Sequence, residues 1–207
     1  GGVPSSLRGY VWKLLLGAQE LNNDKDEYIE LLNKHKPETV QDQLDQIEKD
    51  LSRTFPDDIF FHSNEPPSIA QLRRLLRAYS WKNPDLGYVQ GMNDILSPLL
   101  LFLKDEEQAF WCFTKLMDNY LPQYFTNDLS GSNEDLRVLD SLVKESLPEL
   151  YSHLKKQGST LLIFAFPWFL TLFARELPLE IVLRIWDMLF TYGSHFLIFV
   201  ALAILKL

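Results

Sequence analysis

From one end of this chain to the other, apolar residues recur three and four positions apart, and no stretch alternates with the period of two that a half-buried strand requires. That pattern confines the 207 residues to helices packed on helices, an all-α, multi-helix fold. The first helix follows Pro4-Ser5-Ser6, carries Leu7, Val11, Trp12, Leu14 and Leu15, and ends near Gly17, which suits a C-cap. Trp12 shares the apolar face with Leu15 and Leu16 and is expected in the core. Tyr28, Ile29, Leu31 and Leu32 mark a second helix before Pro37. A third spans 39–53, with Val40, Leu44, Ile47 and Leu51 on one face and Pro56 just beyond. The fourth opens at Pro66-Pro67-Ser68 and breaks at Asn83-Pro84.

Helices are then predicted over 92–103 and 106–120, the latter with Phe110, Trp111, Phe113, Leu116 and Met117 inward. Leu121-Pro122 interrupts the pattern, and polar residues 127–133 read as a loop feeding a helix over 134–146 with Ser132 or Asn133 as N-cap. Further helices follow at 148–156, 160–175, 178–190 and from His195 onward. The loop at 127–133 is the candidate boundary between two helical halves of one domain covering 1–207.

Composition narrows the partners. A formal net charge of −8 argues against nucleic acid, whose phosphates are held by excess Lys and Arg. The single cysteine, Cys112, cannot form an internal disulfide and reads as a small buried hydrophobe, which suits a cytoplasmic setting. The longest apolar stretch, 161–174, falls short of the roughly 20 residues a bilayer-spanning helix needs. An apolar helix over 196–205 ends with the chain, so the natural protein is expected to continue past a truncated C-terminus.

Motifs for self-contained catalysis are absent: there is no phosphate-binding glycine loop, no nucleophile elbow and no zinc-protease helix. His35, His62, His153 and His195 are scattered without ligand spacing, and the carboxylates of 22–27 lack the glycine and terminal Glu of a calcium loop. No metal site is expected. Two segments stand apart. In Ile47-Glu48-Lys49-Asp50-Leu51-Ser52-Arg53, Asp50 and Arg53 lie three apart on one helical face and can pair, so the guanidinium would project from a helix end with an acidic neighbour to orient it. In Gly87-Tyr88-Val89-Gln90-Gly91-Met92-Asn93-Asp94, glycines flank Gln90 at a loop-to-helix junction, and Asn93 or Asp94 can cap the helix that follows. Taken singly, the first is also what a surface ion pair looks like, and the second an exposed glutamine.

Together these segments resemble the TBC family of Rab GTPase-activating domains. Its Ile-x-x-Asp-x-x-Arg motif matches Ile47, Asp50 and Arg53; its Tyr-x-Gln motif matches Tyr88 and Gln90; an Arg-x-x-x-Trp element matches Arg8 and Trp12. Ala109-Phe110-Trp111-Cys112 and Arg184-Ile185-Trp186-Asp187 are similar too. The resemblance implies a V-shaped array of two helical halves that stimulates GTP hydrolysis by a Rab-family GTPase in its GTP-bound state. In it Arg53 would be an arginine finger and Gln90 a glutamine supplied in trans, supported by Asp50 and Tyr88. GTP and magnesium would belong to the partner, with no cofactor in this chain and no chemistry of its own. The setting implied is cytoplasmic and peripheral to endomembranes, as in vesicle trafficking, with attachment through the partner or through other regions.

The alternative is a TBC-like interaction module that binds a GTPase or scaffold without stimulating hydrolysis. Arg8, Arg77 and Asn93 are further candidates for partner contact; Arg8 either meets the partner or braces the N-terminal turn. Arg73, Arg74, Arg77 and Lys82 form a basic stretch in an acidic chain, open to a solvated face or to acidic partner surface.

Overall fold

The computed structural model describes residues 2–19, 25–33, 41–54, 67–121, 123–126 and 128–207. Among these, every regular element is a helix: α1 Ser5–Leu15, α2 Lys25–Asn33, α3 Gln41–Leu51, α4 Pro67–Lys82, α5 Met92–Leu103, α6 Glu106–Asn119, α7 Ser130–Ser146, α8 Pro148–Lys156, α9 Leu161–Leu170, α10 Leu179–Tyr192 and α11 Phe196–Lys206. Pro37, Val40, Pro56, Pro66, Pro122, Asn127, His35 and His62 lie outside the described residues.

The chain divides into two compact units, Val3–Asp118 and Asn119–Leu207. The division falls at the end of α6 rather than at 127–133, a segment inside the second unit. There Leu121, Tyr124 and Phe125 are buried, and the Tyr124 hydroxyl donates to Asp135 of α7, so the residues before the loop are already committed to that unit. α7 itself begins four residues earlier than the sequence predicts. Its N-cap is Leu129, with φ 50, and neither Ser132 nor Asn133 serves. Asp128 takes the helix's first N–H, that of Ser130, at 3.2 Å, while the Ser132 hydroxyl donates to the Leu129 carbonyl at 3.0 Å.

In the first unit α5 is the central element, with residues Met92 to Leu100 all buried. α1, α3 and α4 pack on it and α2 packs on α4. Gly9 lets α1 approach α5 closely, because a Cβ there would lie 2.5 Å from the Phe102 carbonyl oxygen. Trp12 is fully buried beside Phe102, ring centroids 5.7 Å apart. On α6, Phe110 and Phe113 meet Tyr28 and Tyr79 at 4.8 and 4.9 Å between centroids, and burial pushes the Cys112 thiol up to about 12.

In the second unit α7 packs against α8, α9 and α11, and α10 against α11. The sequence predicts one helix over 160–175, but α9 stops at Leu170. The Phe173 and Leu172 N–H groups turn back to the Trp168 and Phe169 carbonyls at 2.7 and 3.1 Å, with Leu172 at φ 50. This is a Schellman closure without glycine. Burial of Leu172 and a 3.0 Å bond from the Trp186 indole N–H to its carbonyl hold it there. No helix among the described residues is long and apolar enough to cross a membrane.

Candidate functional site

The site is built on α3. Its apolar face, Leu44, Ile47 and Leu51, is buried, which fixes the rotation of the helix and aims a polar line of Gln43, Gln46, Asp50 and Thr54 at the segment leading into α5. On a neighbouring face Glu48 is held by two arginines of α4. Arg73 makes paired bonds of 2.7 and 2.8 Å and Arg77 one of 3.0 Å. The Arg73 hydrogen bond, reinforced by the charge of both guanidiniums, holds the Glu48 carboxyl below the usual carboxylate range. α3 is thus fastened to α4 by packing and by charge.

α3 ends at Leu51, two residues before Arg53. The Arg53 N–H donates to the Asp50 carbonyl at 3.0 Å and the Thr54 N–H to that of Leu51 at 3.3 Å. The Arg53 side chain is exposed, and no described residue bonds its guanidinium. The sequence predicts an ion pair between Asp50 and Arg53, and the structure shows a different arrangement. Asp50 is only 2% exposed; its carboxylate takes the Tyr88 hydroxyl at 2.8 Å and the Gln46 amide at 3.1 Å. Burial turns it inward, while Arg53 follows the turn outward. Asp50 steadies Arg53 through the backbone.

The second segment closes on the same carboxylate. After α4 the Gly87 N–H returns to the Asn83 carbonyl at 2.7 Å, and Met92 N–H to that of Val89 at 3.1 Å. The latter turn places Gln90 and Gly91 at its centre, and Gly91, at φ 103 and ψ −21, takes the left-handed position that type II turns reserve for glycine. Gln90 is exposed on this turn.

Beneath it four buried residues form a closed ring. The Tyr88 hydroxyl lies between Asp50 Oδ2 and Asn93 Oδ1, at 2.8 and 3.0 Å; Asn93 Nδ2 donates to Thr54 Oγ1 at 3.0 Å; and Thr54 Oγ1 donates to the Asp50 carbonyl at 2.9 Å. All four are 7% exposed or less. Such a network resists distortion, because a buried donor or acceptor that loses its partner costs about 1–3 kcal/mol. The sequence separates its two segments by 38 residues, and the ring makes them one base from which an arginine and a glutamine reach solvent.

Asn93 therefore lies inside this base, 1% exposed, and is not a surface contact. Neither it nor Asp94 is the N-cap, which is Gly91; Asn93 Oδ1 instead takes the Gly91 N–H at 3.3 Å. The other two contact candidates are also engaged. Arg77 pairs with Glu48, and Arg8, 6% exposed, braces the N-terminal turn through the Val3 carbonyl at 2.8 Å and Ser5 at 3.3 Å, with its guanidinium 5.2 Å from the Phe102 ring centre. The rest of the basic stretch is internally neutralised: Arg74 pairs with Glu106 and Lys82 with Glu27.

Thr54, Gln43 and Gln46 escape a sequence reading, although all three lie on the Asp50 face of α3 or just beyond it, at spacings of three and four. No group of three or more His, Cys, Asp or Glu among the described residues could hold a metal ion.

The family model for the Rab-GTPase-TBC domain matches residues 5–207. GTPase-activating protein GYP3 of Saccharomyces cerevisiae is 40% identical over 250 aligned positions, covering 100% of this chain and 39% of the relative. Growth hormone-regulated TBC protein 1-A of Danio rerio is 39% identical, over 99% of this chain and 57% of its own length. The chain thus spans less than two thirds of these curated relatives. Among solved structures, the Chlamydomonas flagellar RabGAP TBC domain superposes with a TM-score of 0.85 at 34% identity, covering 99% of this chain and 68% of that one. The Ypt/Rab-GAP domain of Gyp1p superposes at 0.86 with 28% identity, covering 99% and 76%.

Proposed function

Because the chain belongs to the Rab-GTPase-TBC domain family, we propose that it is a GTPase activator, completing the active site of a GTP-bound Rab-family GTPase with Arg53 and Gln90. The observation that carries this reading is the buried ring under two exposed, chemically suited tips.

Phosphoryl transfer asks for positive charge where negative charge develops between nucleotide and leaving group, and for a polar group that aligns the attacking water. Arg53 meets the first need: it is permanently charged, planar and a donor of several N–H bonds, and as an exposed side chain it gives up no ion pair with a described residue to act. Gln90 meets the second, its amide accepting from water through oxygen while donating through nitrogen to a phosphoryl oxygen. The ring keeps the two backbones in fixed register, so less ordering is left to be done at encounter. Nucleotide and magnesium remain the partner's. A cytoplasmic location peripheral to endomembranes follows from such a partner, as does a part in vesicle trafficking.

The reading is tested by single-turnover GTP hydrolysis across purified Rab proteins, with and without this domain. At least one Rab should be accelerated, and Arg53→Ala should abolish the acceleration without lowering the melting temperature. Nucleotide-dependent binding with no acceleration of any Rab would make the chain an interaction module instead.

A further inference from the structure

One residue of α3 touches the Gln90 segment and lies outside the ring. The Gln43 amide stands against Gly87: a Cβ built there would fall 2.2 Å from Nε2 and 2.4 Å from Oε1. The amide therefore occupies the space that any larger residue at 87 would need. Its Oε1 also faces the Tyr88 N–H at 3.3 Å. Gly87, at φ +65, is in the left-handed region, so the chain bends at the point where Gln43 fills the bend and receives the next N–H.

Gln43 lies seven residues before Asp50 on α3, two turns along the same face. The Gln90 segment is thus held to α3 twice, through the Tyr88 side chain at Asp50 and through the Tyr88 backbone at Gln43. Two anchors on one residue stop Tyr88 from swinging about its own side chain, and Gln90 is only two residues on. Arg53 has no such link to Gln43, since its own turn closes on Asp50.

We propose that Gln43 is a positioning residue for Gln90: it sets where the glutamine amide stands, and it has no part in placing Arg53. The proposal rests on the activator function proposed above and adds a division of labour within it.

The test is a double-mutant cycle on the whole domain, read as the single-turnover GTP hydrolysis rate of a responsive Rab at saturating domain. Gln43→Met keeps volume and helix propensity but removes the acceptor. Misplacement of about 1 Å at a reacting centre can cost up to about 100-fold, and roughly a tenfold loss is expected here, with half-saturation unchanged. Gln43→Glu, which restores an acceptor oxygen, should recover most of the rate.

The decisive arm is the background. In Gln90→Ala the Gln43→Met change should have no further effect on the residual rate, because there is no amide left to position. Equal losses in both backgrounds, or a wild-type rate for Gln43→Met, would overturn the proposal. So would a loss explained by a shift in half-saturation or by unfolding of Gln43→Met at the assay temperature. Failure of Arg53→Ala to reduce the rate would instead strike the activator reading itself, so the two failures are distinguishable.

Discussion

In the first unit the Tyr88 hydroxyl donates to Asp50; in the second the Tyr124 hydroxyl donates to Asp135. All four residues are under a tenth exposed, and each pair joins an irregular segment to a helix. The Asp50 pair is extended by Thr54 and Asn93 into a ring, with Arg53 and Gln90 standing exposed a few residues away. The Asp135 pair binds segment 123–126 to α7, and the exposed glutamine and arginine near it are both engaged: Gln123 Oε1 takes the Ser130 hydroxyl at 3.3 Å, and Arg137 pairs with Glu134 at 3.2 Å. A buried tyrosine–aspartate pair is therefore a structural brace in itself. It becomes the base of a site through what its neighbours carry to the surface.

The largest effect that separates the two regions is at Arg53. Arg53→Ala should lower the stimulated hydrolysis rate by roughly 10³- to 10⁵-fold, the range arginine fingers supply, and Arg53→Lys should be badly impaired because the planar fork is lost. Arg137, also exposed on α7 but paired with Glu134, should be replaceable by Ala with no effect on rate. Near-normal rates for both Arg53 variants in single-turnover assays would remove the distinction.

Next comes the matched pair Tyr88→Phe and Tyr124→Phe. Each leaves a buried carboxylate one donor short, for a stability loss of about 1–3 kcal/mol by denaturant titration. Only Tyr88→Phe should also reduce the saturated stimulated rate, by about tenfold or more, since it loosens the Gln90 segment. Equal effects on rate would mean that the ring contributes stability alone.

A smaller effect concerns acidity. Burial raises the Asp135 carboxyl above its ordinary 3.8, against the opposing hydrogen bond of Tyr124 and the nearby His195. A carboxyl whose folded pKa exceeds the unfolded one favours the fold most when protonated, and that contribution fades as pH rises from 3.8 through the raised value. Asp135→Asn keeps an acceptor for Tyr124 and removes the buried charge. Its melting temperature should exceed that of the wild type at pH 7, with the gap narrowing toward pH 4. Glu48 has the opposite sign: its carboxyl is lowered by Arg73, so the clamp between α3 and α4 is lost as pH falls through the lowered value.

Helix order and most of the core are legible in the sequence because periodicity and proline placement are local signals. Two helix ends of the same geometry show where legibility stops. At α1, Gly17 has φ 70, and the Ala18 and Gly17 N–H groups close on Lys13 and Leu14 at 3.0 Å; the glycine announces the end. At α9 the same closure uses Leu172, whose left-handed backbone costs on the order of 1–2 kcal/mol and is held by tertiary burial that no local pattern reveals. The site divides in the same way. Arg53 and Gln90 are marked by the glycines and spacing around them, whereas the direction of Asp50 depends on Tyr88, distant in sequence, and so reads locally as a partner for Arg53. Asn93 misleads for a related reason: a polar residue near a helix start suggests a cap or a contact, and only the tertiary ring shows it buried.

The glutamine that orients the attacking water is proposed to come from this chain, and two matched mutations decide the matter. Single-turnover hydrolysis at saturating domain is measured for a responsive Rab in two arms: Gln90→Ala in this chain, and alanine in place of the GTPase's own switch glutamine. Only one amide can stand beside the attacking water, and one carried on the turn above the buried ring is better preorganised than one on a mobile switch loop. Gln90→Ala should therefore remove most of the stimulation, while the partner's mutation leaves much of it. The reverse result, stimulation abolished by the partner's mutation and nearly normal in Gln90→Ala, would contradict the claim and leave Gln90 a docking residue.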